Sequence, residues 1–277
     1  MSDTTAQRLA VVEGSVGLLG TESKRQDRRM AGMWTRAMSQ KRMGDVIGCV
    51  FSFPCLRGCW LMSGVTAIGN VIDRSGQGRT LVNTDITFGM DGFLPYAAFN
   101  GLTAELERAD EPGLDISGDE AYVEPPFFGL TMGAVAYFEE TASAYEAVMA
   151  KGNGGGADTA YWLDRTDGGY PRFLVGDGAA LQGPTATAVV AADTWVSFIG
   201  RYTPSTEAAL WVGDVKYTDT VGIPATLVNS AQALNIGAYN SGAGYFMDGR
   251  VALAWLCATA VPEAALMKYY GRLKPFL

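Results

Sequence analysis

From Asp45 onward the chain is cut into short apolar runs by Gly, Pro, Asn and Asp, and this punctuation restricts the fold more than any other feature. Several runs alternate. Leu130, Met132, Ala134 and Ala136 do so through GLTMGAVAYF, Val196 and Phe198 flank Ser197, and Val251, Leu253 and Trp255 are separated by alanines. A period of two is that of a strand with one face turned to a core. The 35 glycines are largely aperiodic and read as turns between strands. Gly213-Asp214 sits between LWV and VKY as a two-residue hairpin, while 151–158 and 166–171 are loops. Helix returns from Pro262 to about Tyr270, with Pro262 suited to the first turn and Gly271 to the end. Many short strands with hardly any helix between them predict an all-β, antiparallel two-sheet jelly-roll sandwich. Trp60, Trp195, Trp211 and Trp255 fall in strand patterns and are expected in its core.

The first 48 residues have a different character. Leu9, Val12, Val16 and Leu19 are spaced 3-4-3, a heptad seam that turns polar at Ser23 and Gln26 and apolar again at Met30 and Met33. The seam fits either an amphipathic helix lying on its own domain or an oligomeric coiled coil. Gly14, Gly17 and Gly20 weaken a continuous helix, each by about 1 kcal/mol against Ala. Through Asp45 eight bases face five acids, a net +3, so the rest carries −11 of the total −8. The expected organisation is a basic helical arm at 1–48, for docking or oligomerisation, ahead of an acidic domain at 49–277.

Composition removes several chemistries. With no His, the usual Ser-His-Asp and Cys-His machinery and His-based zinc sites are absent. The acidic balance argues against nucleic acid. Cys49, Cys55, Cys59 and Cys257 lack CxxC spacing and read as small buried hydrophobes rather than a zinc site. The opening MSDTTAQRLAVVEG lacks an apolar stretch behind a basic start, and Val46–Pro54 is too short to span a bilayer; neither a secretory leader nor membrane insertion is expected.

Two stretches resemble the laminin-G-like, concanavalin-A-like family. One runs from Trp60 through Asp73, Ser75, Gly76 and Gly78 to Leu81 and the Phe99-Asn100-Gly101 hairpin. The other joins ADTWVSFIGRYT to AALWVGD, LNIGAY and YFMDGRVALAWL before a closing helix. Together they cover about 55–277. Asp73 can cap the turn that follows it, and Gly76 and Gly78 supply backbone freedom. The LRGCW, SGQGRTL and PYAAFNG segments behind a helical arm are also similar to tailed-phage structural proteins. That resemblance implies a non-enzymatic virion protein: a homotrimeric tail fibre held to other virion proteins by its arm, or alternatively a capsid decoration protein.

Candidate sites follow from the same reading. Carboxylate catalysis in a concanavalin-A-like hydrolase needs paired acids on one strand face. The nearest clusters, Asp119, Glu120 and Glu124 and the neighbours Glu139 and Glu140, lack that pattern, so a polysaccharide-degrading enzyme is the weaker alternative. The resemblance allows a Ca²⁺ site, with Asp73, Asp110 and Asp115 as candidate ligands beside Asp164 and Asp167. Tyr161, Trp162, Tyr170 and Tyr239 lie near loops and are the candidates for stacking on a host-surface glycan, against the alternative of plain packing.

Overall fold

The computed structural model describes residues 43–53, 55–92, 94–116, 129–140, 144–239 and 244–277. The chain divides into two compact units, Met1–Asp45 and Val46–Leu277. The seam residues Leu9, Val12, Val16, Leu19, Met30 and Met33 lie outside the described residues, as do Asp119, Glu120 and Glu124. Residues 43–51 are helical (α1).

Two sheets follow. The first runs in the order β14 (Val215–Asp219), β13 (Glu207–Val212), β12 (Trp195–Thr203), β7 (Leu130–Phe138), β16 (Asp248–Cys257), β1 (Leu56–Val65) and β2 (Val71–Asp73). Beside the first half of β16 lies β5 (Leu94–Asn100), which pairs in turn with β4 (Thr87–Asp91). The second sheet is β11 (Leu181–Gln182), β10 (Pro171–Gly176), β9 (Thr159–Arg165), β8 (Glu146–Gly152), β15 (Leu234–Ile236), β6 (Glu105–Arg108) and β3 (Val82–Thr84). The named pairings are antiparallel throughout, for example β7 with β12 and β8 with β9. The protein is an all-β, antiparallel two-sheet sandwich, as the punctuated alternation predicts.

Alternation places the core. Leu130, Met132, Ala134, Ala136 and Phe138 of β7 face inward with Phe198 and Tyr202 of β12. They meet Val148, Leu163, Phe173, Val175, Leu234 and Ile236 from the second sheet. Each large apolar side chain so buried contributes about 1.5–3 kcal/mol. Trp60 belongs to this layer, and its indole donates to the Arg79 carbonyl at 2.7 Å. The turn after it is held as expected: the Asp73 carboxylate accepts from Cys59 N, Ser75 N and Arg79 N at 2.8–3.0 Å, with Gly76 and Gly78 at φ +85° and +77°.

Four expectations are corrected. A register shift between Val251 and Leu253 puts Val251, Ala254 and Leu256 in the inter-sheet core, so Leu253 and Trp255 do not share the face of Val251. Trp255 instead lies over Gly133, where a Cβ would come within 2.4 Å of its indole, and packs on Phe53 and on Tyr269 of α2 (Glu263–Leu273) at ring distances of 5.1 and 5.6 Å. Trp211, buried under Arg201 and Lys216, and Trp195, packed on Tyr137 on the outer face of the first sheet, also lie outside the inter-sheet core. The Phe99-Asn100-Gly101 segment is not a hairpin within one sheet. The Asn100 side chain accepts the amides of Leu102, Thr103 and Ala104, turning the chain from β5 in the first sheet to β6 in the second. Gly271 lies within α2, and a 3₁₀ turn, Lys274–Phe276, closes it.

Candidate functional site: an aromatic platform on the second sheet

On β9 the residues Tyr161 and Leu163 belong to the inter-sheet core, which turns Trp162 and Asp164 to the outside. Register places Trp162 between Ala150 of β8 and Leu174 of β10, and Asp164 opposite Arg172. Ala150 is small, so the indole has room beside it. Tyr239 and Gly244 form an isolated bridge, and the two tyrosines at this bend, Tyr239 and Tyr245, lie over the indole. Trp162 stacks with Tyr239 at 5.6 Å and 18°, and with Tyr245 at 5.7 Å and 23°. The two tyrosines are 4.6 Å apart and inclined by 26°. Tyr145, just ahead of β8, joins Tyr245 at 5.2 Å. Offset pairs of this kind contribute about 0.5–1.5 kcal/mol beyond area burial.

Arg172 closes one side. Its guanidinium stands 4.9 Å from the Tyr145 ring centre and 5.4 Å from that of Trp162. It donates through Nε and Nη2 to the two oxygens of Asp164 at 3.0 and 2.6 Å. Burial pushes the Asp164 carboxyl up to about 6, with the Arg172 contacts opposing that rise. The pair is a fixed planar fork against stacked rings. Trp162 is the floor at 3% exposure, Tyr239 and Tyr145 are half-buried, and Tyr245 is 38% exposed. Among the described residues the buried Trp162 Nε1 has no hydrogen-bond partner.

The structure thus brings two of the four expected aromatics, Trp162 and Tyr239, into one cluster. Tyr161 is a correction: it is fully buried, its hydroxyl donates to the Leu114 carbonyl at 3.0 Å, and burial drives its pKa well upward. It cannot meet a ligand. Tyr170 is exposed in the 166–170 turn and is not among the stacked rings. Tyr145, Tyr245 and Arg172 complete the platform and were not legible. Tyr145 and Tyr245 reach it from separate bends, and Arg172 reads as an ordinary strand charge until its cross-strand partner is known.

The calcium candidates are corrected too. Asp73 is spent on backbone amides of its own turn. Asp110 and Asp115 face the ammonium of fully buried Lys151 at 2.5 and 3.0 Å, where the Ser230 and Gln232 carbonyls also accept at 2.6 and 2.8 Å. A built-in cation already fills that oxygen cage. Asp164 is committed to Arg172, and among the described residues no cluster of three His, Cys, Asp or Glu could hold a metal. The four cysteines are free, and burial pushes the Cys59 thiol up to about 12. Glu139 is paired with Arg250. No described helix is long and apolar enough to cross a membrane.

Two antiparallel sheets over one shared core define a β-sandwich. Among solved structures it is similar to the receptor-binding domain of botulinum neurotoxin type G, with a TM-score of 0.56 and 11% identity over 77% of this chain and 50% of that one. The binding domain of Paraclostridial Mosquitocidal Protein 1 gives 0.56 and 11% over 78% and 52%. Botulinum neurotoxin type C, whose cell entry depends on interaction with two ganglioside molecules, gives 0.57 and 8% over 82% and 53%. The chain spans about half the length of these structures, and at such identities the likeness is one of fold. No family model and no curated protein matches the chain.

Proposed function

We propose that this chain is a non-enzymatic adhesion protein that binds a host-surface glycan through the platform of Trp162, Tyr239, Tyr245 and Tyr145. The observation that carries the reading is the stack itself, three near-parallel rings outside the inter-sheet core with Tyr245 exposed at its edge. Aromatic faces receive the C–H side of a sugar ring, while the partly exposed Arg172 guanidinium and the hydroxyls of Tyr145, Tyr239 and Tyr245 meet its hydroxyls. The fold's likeness to receptor-binding domains supports binding over turnover, and so does a sequence without His.

The finer reading places the protein in a tailed-phage virion, as a laminin-G-like tail-fibre domain mounted as a homotrimer by the basic arm at 1–48. The heptad seam supports the arm's role. An array of bacterial surface oligosaccharides tests the adhesion reading. Binding that Y239A/Y245A weakens by about tenfold or more is expected, and no binding, or binding indifferent to these residues, overturns it. Light scattering tests the arm. V12E/V16E should reduce the particle mass about threefold if the seam makes a three-stranded coil; unchanged mass removes the arm as the assembly element.

A further inference from the structure

The outer face of the first sheet carries a second aromatic row whose packing does not serve the inter-sheet core. Trp195 of β12 is in register with Tyr137 of β7, and Tyr137 with Arg250 of β16. Arg250 pairs with Ala98 of β5, and Tyr96 stands two residues along that strand on the same face. Tyr96 lies across Gly89 of β4, where a Cβ would come within 2.4 Å of its ring. Trp195 is 5.4 Å from Tyr137 and 6.3 Å from Tyr96, and the Arg250 guanidinium stands 4.6 and 4.9 Å from the two tyrosine rings. Five adjacent strands are thus built around one row, while α2 covers the same sheet face at Trp255.

Carboxylates surround the row. Asp91 accepts the Trp195 indole proton at 3.0 Å, Glu139 pairs with Arg250 at 2.7 Å, and Asp193 accepts the Tyr137 hydroxyl at 3.0 Å. Asp91, Glu139 and Asp193 are all exposed, so each has acceptor capacity left for a ligand. Between Asp91, Leu94, Trp195 and Phe276 opens a cavity of ≈ 280 Å³, near the lower bound of about 300 Å³ for ligand clefts.

We infer that this row is a second binding site, separate from the platform on the other sheet, and that it takes a neutral hexose unit. Trp195 joins the row to the cavity, which suits one sugar ring; Asp91 at the cavity and Glu139 and Asp193 along the row offer acceptors to its hydroxyls. The same acidic rim disfavours sugars that carry carboxylate, sulfate or phosphate. The site is independent of the glycan reading of the platform. With both sites working, one chain engages two sugar units on opposite faces of the sandwich.

Each site contains an indole, so ¹⁵N-resolved indole resonances of the full chain report them separately, assigned through W195F and W162F. The probes are methyl glucoside, methyl galactoside, methyl mannoside and methyl N-acetylglucosaminide. At least one should shift the Trp195 indole signal saturably, and the sodium salt of methyl glucuronide should not. Y96A and D91N should each weaken that titration about tenfold and leave any Trp162 response intact. A Trp195 signal unmoved by all four neutral glycosides up to tens of millimolar overturns the proposal, whatever Trp162 does. A Trp195 response with a silent Trp162 leaves it standing and counts against the platform. Equal shifts by the glucuronide overturn the charge argument.

Discussion

Glu105 shows how a single buried group ties stability to pH. It is 7% exposed, its carboxyl is pushed up to about 7 by burial first and by Glu107 second, and Asn235 donates to it at 2.9 Å. A carboxyl raised in the folded state gives stability that is fully present below its unfolded value near 4.5 and is lost as pH rises through about 7. Gln keeps the acceptor and cannot ionise. E105Q should therefore match the parent at pH 4.5 and be more stable at pH 8 by about 3 kcal/mol, as read by urea denaturation at both values; a pH-independent difference would contradict the assignment. Lys151 is the converse case. K151M leaves Asp115, 6% exposed, without its cation. The expected loss is about 3–5 kcal/mol at neutral pH, smaller near pH 4 where Asp115, its carboxyl already raised by burial, takes up a proton. Neither role shows in the sequence, where Lys151 opens a glycine loop and Glu105 is one acid among many.

At the scale of elements, the strands were legible and their twists of register were not. GLTMGAVAYF carries its inward set in plain alternation because β7 runs straight between two neighbours. RVALAWLCA reads as equally regular, yet the register shift after Val251 flips the second half, which alternation cannot reveal because it leaves the residue types unchanged. The flip sends Trp255 onto Gly133, so that glycine is required by the indole above it. G133A should cost about 1–3 kcal/mol by overpacking, measured by thermal unfolding, whereas G271A on the exposed side of α2, with nothing within 4 Å, should be neutral or slightly stabilising. The bend at Tyr239 was legible as a loop, while its approach to Trp162 was not, since the two belong to segments about eighty residues apart.

At the scale of the whole molecule, half of the pairings among the described strands join strands that are not consecutive in the chain. β1 pairs β16, β6 pairs β15 and β7 pairs both β12 and β16. Closing such loops precedes their reward, so refolding of the sandwich should take milliseconds to seconds, measured by stopped-flow tryptophan fluorescence; microsecond refolding would contradict this topology. The two sheets enclose one continuous core and leave two outer faces, each with its own aromatic group. By itself the sequence determined the all-β antiparallel class, the inward face of most strands and the capped turn at Asp73, because periodicity, turn chemistry and local hydrogen bonds act over a few residues. Only the tertiary structure decided that Tyr161 is core while Trp162 is surface floor, that Lys151 occupies the oxygen cage of Asp110 and Asp115, and that Tyr145, Tyr239 and Tyr245 meet. Those outcomes depend on which strands become neighbours, and that is fixed by burying one shared core, a property of the whole chain that no short window contains.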